Sequence, residues 1–222
     1  MNRVCTRQLN LWEASSFADA DLDTLGRGQL VAGVDEVGRG CWFGPVVAAA
    51  AILSGEAISD LRQAGVTDSK RLSVKQRSRL ALSVGESAIA CSIGIASVRE
   101  IDRLNILQAS LLAMKRAILK LQVTPQLCLI DGNQLVPDLS IEQKTIVKGD
   151  SRVTAIAAAS IVAKVWRDTL IVRLAKKYPE YDLENNKGYG TKKHRLALQK
   201  YGISPQHRRS FRPCQLHGDR LS

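Results

Sequence analysis

Soft-metal ligands are scarce in this chain, and none are paired. Histidine occurs only three times. The five cysteines stand far apart at positions 5, 41, 91, 128 and 214, with no C-x-x-C pair. That pattern excludes a zinc ribbon and a disulfide framework, and fits the reduced thiols of a cytoplasmic protein. Long apolar runs are also missing. The longest uncharged stretch, Cys41 to Gly55, is interrupted by Gly44-Pro45 and is too short to cross a bilayer. Glu13, Asp19, Asp21 and Asp23 break up the N-terminal region, so no secretory leader is expected there. Internal repeats and low-complexity segments are absent. Acids are the minority charge: 21 Asp and Glu against 32 Lys and Arg leave a net charge of +11. Such an excess suggests a polyanionic partner, and nucleic acid is the commonest.

The 222 residues suffice for one large domain, or a domain with an appendage. Residues 1–27 are polar and mixed and are expected to form an extension with some helix. Leu30 to Asp35 (LVAGVD) predicts a first strand and Val46 to Leu53 (VVAAAAIL) a second, joined as a hairpin through a Gly-rich loop. Ala88 to Ala96 (AIACSIGIA) alternates with period two between a larger face and a small-residue face. It is expected to be buried on both, with a helix approaching the small face. Leu127 to Asp131 and Lys144 to Val147 complete five strands.

Helix signals separate these runs. Ser73 is a plausible N-cap for a helix to about Ser87, and Ser97-x-x-Glu100 has the pattern of a capping box. The helix after Ser97 continues its apolar stripe to Leu121, with a break near Asn105. The longest helix is expected from about Ser151 to Lys177. Its first half, AIAAASIVA, should be buried. Its second half, with Lys164, Arg167, Asp168 and Arg173, should lie nearer solvent. The order favours an α/β fold: a mixed five-stranded sheet flanked by helices over residues 28–177, with a small helical appendage over 178–222.

Four acids then fall at expected element ends. Asp35 and Glu36 close the first strand, Asp131 the fourth, and Asp150 follows the fifth. Separately each has a plain structural reading. Asp150 can be an N-cap, Asp131-Gly132 a turn, and Asp35-Glu36 an incidental pair. If the strands are sheet neighbours, the carboxylates converge, and convergent carboxylates repel unless a cation compensates. No histidine lies near them in sequence. Hard ions with oxygen ligands, Mg²⁺ or Mn²⁺, are therefore expected rather than zinc.

The motifs AGVDEVGRG, GPVVAAAAIL, DSKRLS, LIDGN, KGDSRVTAIAAASIVAKVWRD and KGYGTKKH occur in this order from about residue 30, within a span running to about 212. Together they resemble the bacterial ribonuclease HII (type 2 ribonuclease H) family. The resemblance implies a ribonuclease H-like fold; a monomer is expected. It implies cleavage of RNA in RNA–DNA hybrids and at single ribonucleotides in duplex DNA, with two Mg²⁺ or Mn²⁺ ions, leaving 5′-phosphate and 3′-hydroxyl ends. It further implies that Asp35, Glu36, Asp131 and Asp150 bind metal. Gly38, Arg39 and Gly40 would read the 2′-hydroxyl, Tyr189 would stack on the sugar, and Lys70 would face a substrate phosphate. The chain departs from the family's usual smaller residues at Cys41-Trp42-Phe43.

The residues agree with these roles on physical grounds. The 2′-hydroxyl distinguishes RNA from DNA, and glycine lets backbone approach it closely. Arg39 offers a bidentate fork to phosphate, or else is a solvated turn residue. Tyr189, between Gly188 and Gly190, is expected to be exposed among Lys187, Lys192, Lys193, His194 and Arg195. His194 is expected at the surface. The stretch HRRSF, 207–211, either binds phosphate or packs Phe211 under a basic rim. Two other functions compete: a non-catalytic nucleic-acid binder, and another ribonuclease H-like nuclease such as a junction resolvase. Carboxylates repel phosphate, which disfavours the first; the GRG and GYG loops disfavour the second. A dinucleotide-binding loop fails, because a strand and not a helix is expected after Gly40.

Overall fold

The computed structural model describes residues 28–217. The N-terminal extension and Cys5 lie outside the described residues. Strands β1 (Val31–Val37) and β2 (Val46–Ile52) form the expected antiparallel hairpin. All seven residues of β2 are buried, because it lies between β1 and β3 with helices on both faces. Pairing continues as far as Val37 with Val47, so Asp35 and Glu36 sit opposite Ala49 and Ala48 inside the ladder. The expectation that they close the strand is thus corrected. The apolar run Val46–Ile52 carries the hairpin one residue beyond the acids, to Val37.

Helix α1 (Gly55–Gln63) is capped by Ser54. A short 3₁₀ turn, Ser69–Arg71, follows, with the Asp68 side chain accepting from the Lys70 N–H. Helix α2 (Val74–Ser87) begins at a complete capping box of Ser73 and Gln76. Strand β3 (Ala90–Ala96) pairs antiparallel with β2 as an edge strand. That position corrects the expectation of burial on both faces: Cys91 is exposed and Ile93 and Ile95 are half-buried. The small-residue face performs as expected. A Cβ on Gly94 would stand 1.9 Å from the Ala113 carbonyl oxygen, so the helix backbone rests directly on the strand.

The Ser97–Glu100 capping box starts helix α3 (Val98–Leu104). Asn105, at φ 74°, breaks it and caps helix α4 (Ile106–Leu119) by accepting from the Gln108 N–H. Strand β4 (Leu127–Asp131) pairs parallel with β1, and β5 (Glu142–Ile146) parallel with β4. The sheet order is β3-β2-β1-β4-β5, which brings the strands carrying Asp35 and Asp131 side by side. Helix α5 (Thr154–Ala175) starts three residues later than expected, after a 3₁₀ turn over Gly149–Ser151. Asp150 lies in that turn, and Val153 occupies the N-cap position.

Two apolar layers sandwich the sheet. One joins Val34, Ala48 and Ile130 to Met114 and Ile118 of α4; the other joins Val47, Ala49 and Leu129 to Ile156 and Ala159 of α5. Short helices α6 (Leu183–Asn186), α7 (Lys192–Tyr201) and α8 (Arg212–Gln215) complete the described chain. A third cluster holds them to the body, with Phe43 and Ile171 packed among Tyr181, Leu183, Leu198 and Cys214.

Candidate active site

Asp35 is 5% exposed, at the floor of a cleft of about 240 Å³. Its Oδ1 accepts from the Glu36 N–H at 2.6 Å, and Ser160 of α5 also bonds it. Burial, then Glu36 and Asp131, hold the Asp35 carboxyl well above the usual carboxylate range. Glu36 is pushed up by burial, against the pull of Arg39. Asp131 at the end of β4 is likewise raised, chiefly by burial, although its Oδ1 accepts from the Gly149 N–H at 2.7 Å. The three acids line one cleft, and in each burial is the first cause of the rise.

Asp150 stands differently. It is buried, but it lines a neighbouring hollow with Ser151 and Thr154. It contributes to raising Asp131, so the two remain electrostatic neighbours. Lys70, whose side chain is 80% exposed, places Nζ 3.2 Å from Asp150 Oδ2 and lines the cleft beside Asp35. Among the described residues, no three His, Cys, Asp or Glu groups are close enough to form a ready-made ligand set. The donor chemistry nonetheless fits a hard cation. Oxygen donors converge, their carboxyls are raised, and neither histidine nor thiolate joins them.

The Gly38–Gly40 loop forms one wall. Gly38 takes φ 93°, and a Cβ there would lie 2.2 Å from Nε of Arg167. Nothing lies within 4 Å of a Cβ built on Gly40, so that side of the loop is open. Arg39 Nη1 is 3.2 Å from Glu36 Oε1 and its side chain is half exposed. Tyr189 faces the loop and is 41% exposed, as expected. Its neighbours are tightly packed: a Cβ on Gly190 would meet the Trp42 ring at 2.0 Å, and one on Gly188 the Phe43 carbonyl oxygen at 2.7 Å. The Cys41-Trp42-Phe43 segment is therefore a packing surface for the Tyr189 loop, tied to it by the Trp42 N–H donating to the Gly188 carbonyl at 2.8 Å.

Two basic residues contradict the sequence expectations, and the open choice at 207–211 falls to packing. His194 is fully buried, not at the surface. Its Nδ1 lies 2.9 Å from the Tyr189 carbonyl and its Nε2 3.0 Å from His207 Nε2. The Ser204 N–H donates to His207 Nδ1, so His207 carries its proton on Nε2 and gives it to His194, which in turn donates to Tyr189. Arg167 is fully buried rather than near solvent, because backbone carbonyls take all three of its nitrogens. In the HRRSF stretch, His207 and Arg208 are internal and Arg208 stacks 5.1 Å over the half-buried Phe211 ring. Packing, not phosphate binding, explains those two positions.

Sequence reasoning missed Ser69, Ser160 and Lys164, which also line the cleft. Ser160 and Ser69 hydroxyls bond each other at 3.0 Å, and Lys164 Nζ lies 5.6 Å from the Tyr189 ring centre. A signal existed. Ser160 is the one polar residue within AIAAASIVA, and Lys164 follows four residues later on the same helix face.

A mixed five-stranded sheet with acids on adjacent strands, covered by helices and opening on a basic loop wall, defines a ribonuclease H-type nuclease. The solved ribonuclease H2 from Pyrococcus horikoshii OT3 shares this fold, with a TM-score of 0.74 and 28% identity over 86% of this chain and 97% of that one. The Ribonuclease HII family model matches residues 32–214, and the chain belongs to that family. Relatives bearing the name Ribonuclease HII include one from Trichodesmium erythraeum, 68% identical over 84% of this chain and 88% of its own. Another, from Nostoc sp., is 59% identical over 93% and 92%. The chain is accordingly a ribonuclease H endonuclease of a divalent-metal-dependent family.

Proposed function

We propose that the chain cleaves the RNA strand of RNA–DNA hybrids and incises beside single ribonucleotides in duplex DNA, leaving 5′-phosphate and 3′-hydroxyl ends. One observation carries this reading: the cleft joins the buried Asp35 and the half-buried Glu36 and Asp131 to a glycine-flanked loop on one wall and a half-exposed tyrosine on another. In it, Asp35, Glu36, Asp131 and Asp150 hold Mg²⁺ or Mn²⁺. When bound, the ions supply water activation and stabilisation of the leaving oxygen.

The chain's own groups orient the substrate. Gly38 and Gly40 bring backbone close to the 2′-hydroxyl, which a deoxyribonucleotide lacks. Arg39 exchanges its contact with Glu36 for a substrate phosphate, and the exposed Lys70 ammonium meets a second phosphate at the rim. Tyr189 lays its ring against the sugar beside the scissile bond, while the residue 178–222 segment adds lysines for the backbone. The reading is of a monomeric, cytoplasmic enzyme. Among the described residues no helix is long and apolar enough to cross a membrane.

The test compares a DNA duplex carrying one ribonucleotide with all-DNA and all-RNA duplexes and an RNA–DNA hybrid, in Mg²⁺, Mn²⁺ or a chelator. Cleavage of the hybrid and of the single-ribonucleotide duplex, abolished by the chelator, is expected. Equal cutting of all-DNA, or cutting without metal, would contradict the reading.

A further inference from the structure

Arg167 and Arg208 are both fully buried, and their hydrogen-bond partners are carbonyls rather than carboxylates. Arg167 donates from Nε to the Pro45 carbonyl at 3.0 Å, from Nη2 to Phe43 at 2.9 Å and from Nη1 to Lys187 at 2.9 Å. Arg208 donates from Nε to Gly44 at 3.0 Å and from Nη1 to Arg39 at 2.8 Å. Three successive carbonyls, at 43, 44 and 45, thus alternate between two guanidinium forks. The remaining arms reach opposite walls of the cleft. One takes the Arg39 carbonyl, between Gly38 and Gly40; the other takes the Lys187 carbonyl, just before Gly188 and Tyr189.

Burying an uncompensated cation is costly, and an apolar side chain of similar volume would fill either space more cheaply. Arg208 shows that cost directly. Burial, then the neighbouring Arg167, pulls it down to about 10, and its Nη2 has no partner. What apolar packing cannot supply is a planar donor array that fixes several carbonyls at once. Gly38 adds a second observation. Its Cβ would collide with Arg167 Nε, so the loop backbone lies directly on the guanidinium.

We propose that Arg167 and Arg208 are positioning residues that lock the Gly38–Gly40 loop and the Tyr189 loop to a common anchor at residues 43–45. They thereby set the gap in which a ribonucleotide is told from a deoxyribonucleotide. This rests on the cleft's proposed reading of the 2′-hydroxyl. Neither arginine touches substrate. Their effect is on the spacing of groups that do, where an error of about 1 Å can cost about 100-fold.

The experiment uses Arg208→Lys, which keeps the charge and loses the fork, and Arg208→Met, which loses both. Arg167→Lys is the companion variant. Two quantities are read for each folded variant. The first is the affinity ratio between a DNA duplex with one ribonucleotide and its all-DNA counterpart, measured in chelator. The second is single-turnover cleavage of the ribonucleotide duplex in Mg²⁺. All three variants should lose most of the parent's preference, cleave at least ten-fold more slowly, and bind all-DNA within about two-fold of the parent, because exposed lysines supply that binding. A folded Lys variant that keeps the parent's preference and rate overturns the inference, since charge alone would then suffice. If neither Lys variant folds, the arginines are framework residues and the inference fails. A parent that neither prefers nor cuts the ribonucleotide duplex sinks the proposed function itself, which is a separate result.

Discussion

Gly33→Ala should separate the fold's closest contact from the chemistry it positions. Gly33 lies in β1, two residues before Asp35, with α5 across it. An added Cβ would stand 2.2 Å from the Ala155 carbonyl carbon, 2.3 Å from the Ile156 nitrogen and 2.5 Å from the Ala155 oxygen. All three are backbone atoms, so no side chain can swing aside. Ordinary contact requires the helix to retreat by about 1 Å, and overpacking of this kind costs about 1–3 kcal/mol. For a chain of this size each kcal/mol lowers Tm by about 2–4 °C, giving a fall of about 2–12 °C. The same retreat moves Ser160 of α5 away from Asp35 of β1, and a 1 Å misplacement can cost about 100-fold in rate. The assay pairs calorimetric melting with single-turnover cleavage well below Tm. Gly85→Ala is the control. Nothing lies within 4 Å of its Cβ, and it sits in helix α2, where alanine should stabilise by about 0.5–1 kcal/mol. If Gly33→Ala melts and cuts like the parent, the sheet-to-helix contact does not hold the site as argued.

Tyr189→Ala should fold normally and cut an embedded ribonucleotide at least several-fold more slowly, since stacking is worth about 1–3 kcal/mol per base. Tyr189→Phe should keep most activity, and a rate for Tyr189→Ala equal to the parent's would remove the stacking role. The buried His207 gives a pH dependence with a definite sign. Burial, then His194, lowers it from 6.5 to about 3. Between those values the unfolded chain binds a proton that the folded chain refuses, so stability falls as pH drops below 6.5. At pH 5 the loss from this group is about 2 kcal/mol. Urea titrations at pH 7 and pH 5 should show His207→Gln losing about 2 kcal/mol less than the parent; equal losses would place the proton elsewhere.

Most of the architecture could be read from local signals. Apolar runs marked the five strands, and the capping residues Ser73 and Ser97 and the break at Asn105 stand where the spacing put them. Residues bonded within a few positions announce themselves in this way. The errors share a different cause. Arg167 and His194 carry polar side chains in basic surroundings, and nothing nearby in sequence indicates burial. The carbonyls that satisfy Arg167 are up to 124 residues away, and His194 reaches His207 through the tertiary fold. Edge position is equally non-local, which is why the alternating β3 looked buried on both faces. In the candidate site, the motifs brought Asp35, Glu36, Asp131, the glycine loop and Tyr189 to one cleft. Asp150 was harder to place, because a 3₁₀ turn and the Lys70 contact fix its side chain, and neither follows from spacing.

The central claim is that Asp35, with Glu36, Asp131 and Asp150, carries a metal-dependent cleavage. Asp35→Asn keeps the shape of the side chain and removes one charge from the crowded set. Single-turnover cleavage of a duplex with one ribonucleotide, in Mg²⁺ and in Mn²⁺, should be nearly abolished, while affinity for the duplex in chelator stays within a few-fold of the parent. Near-parental turnover in either ion would contradict it.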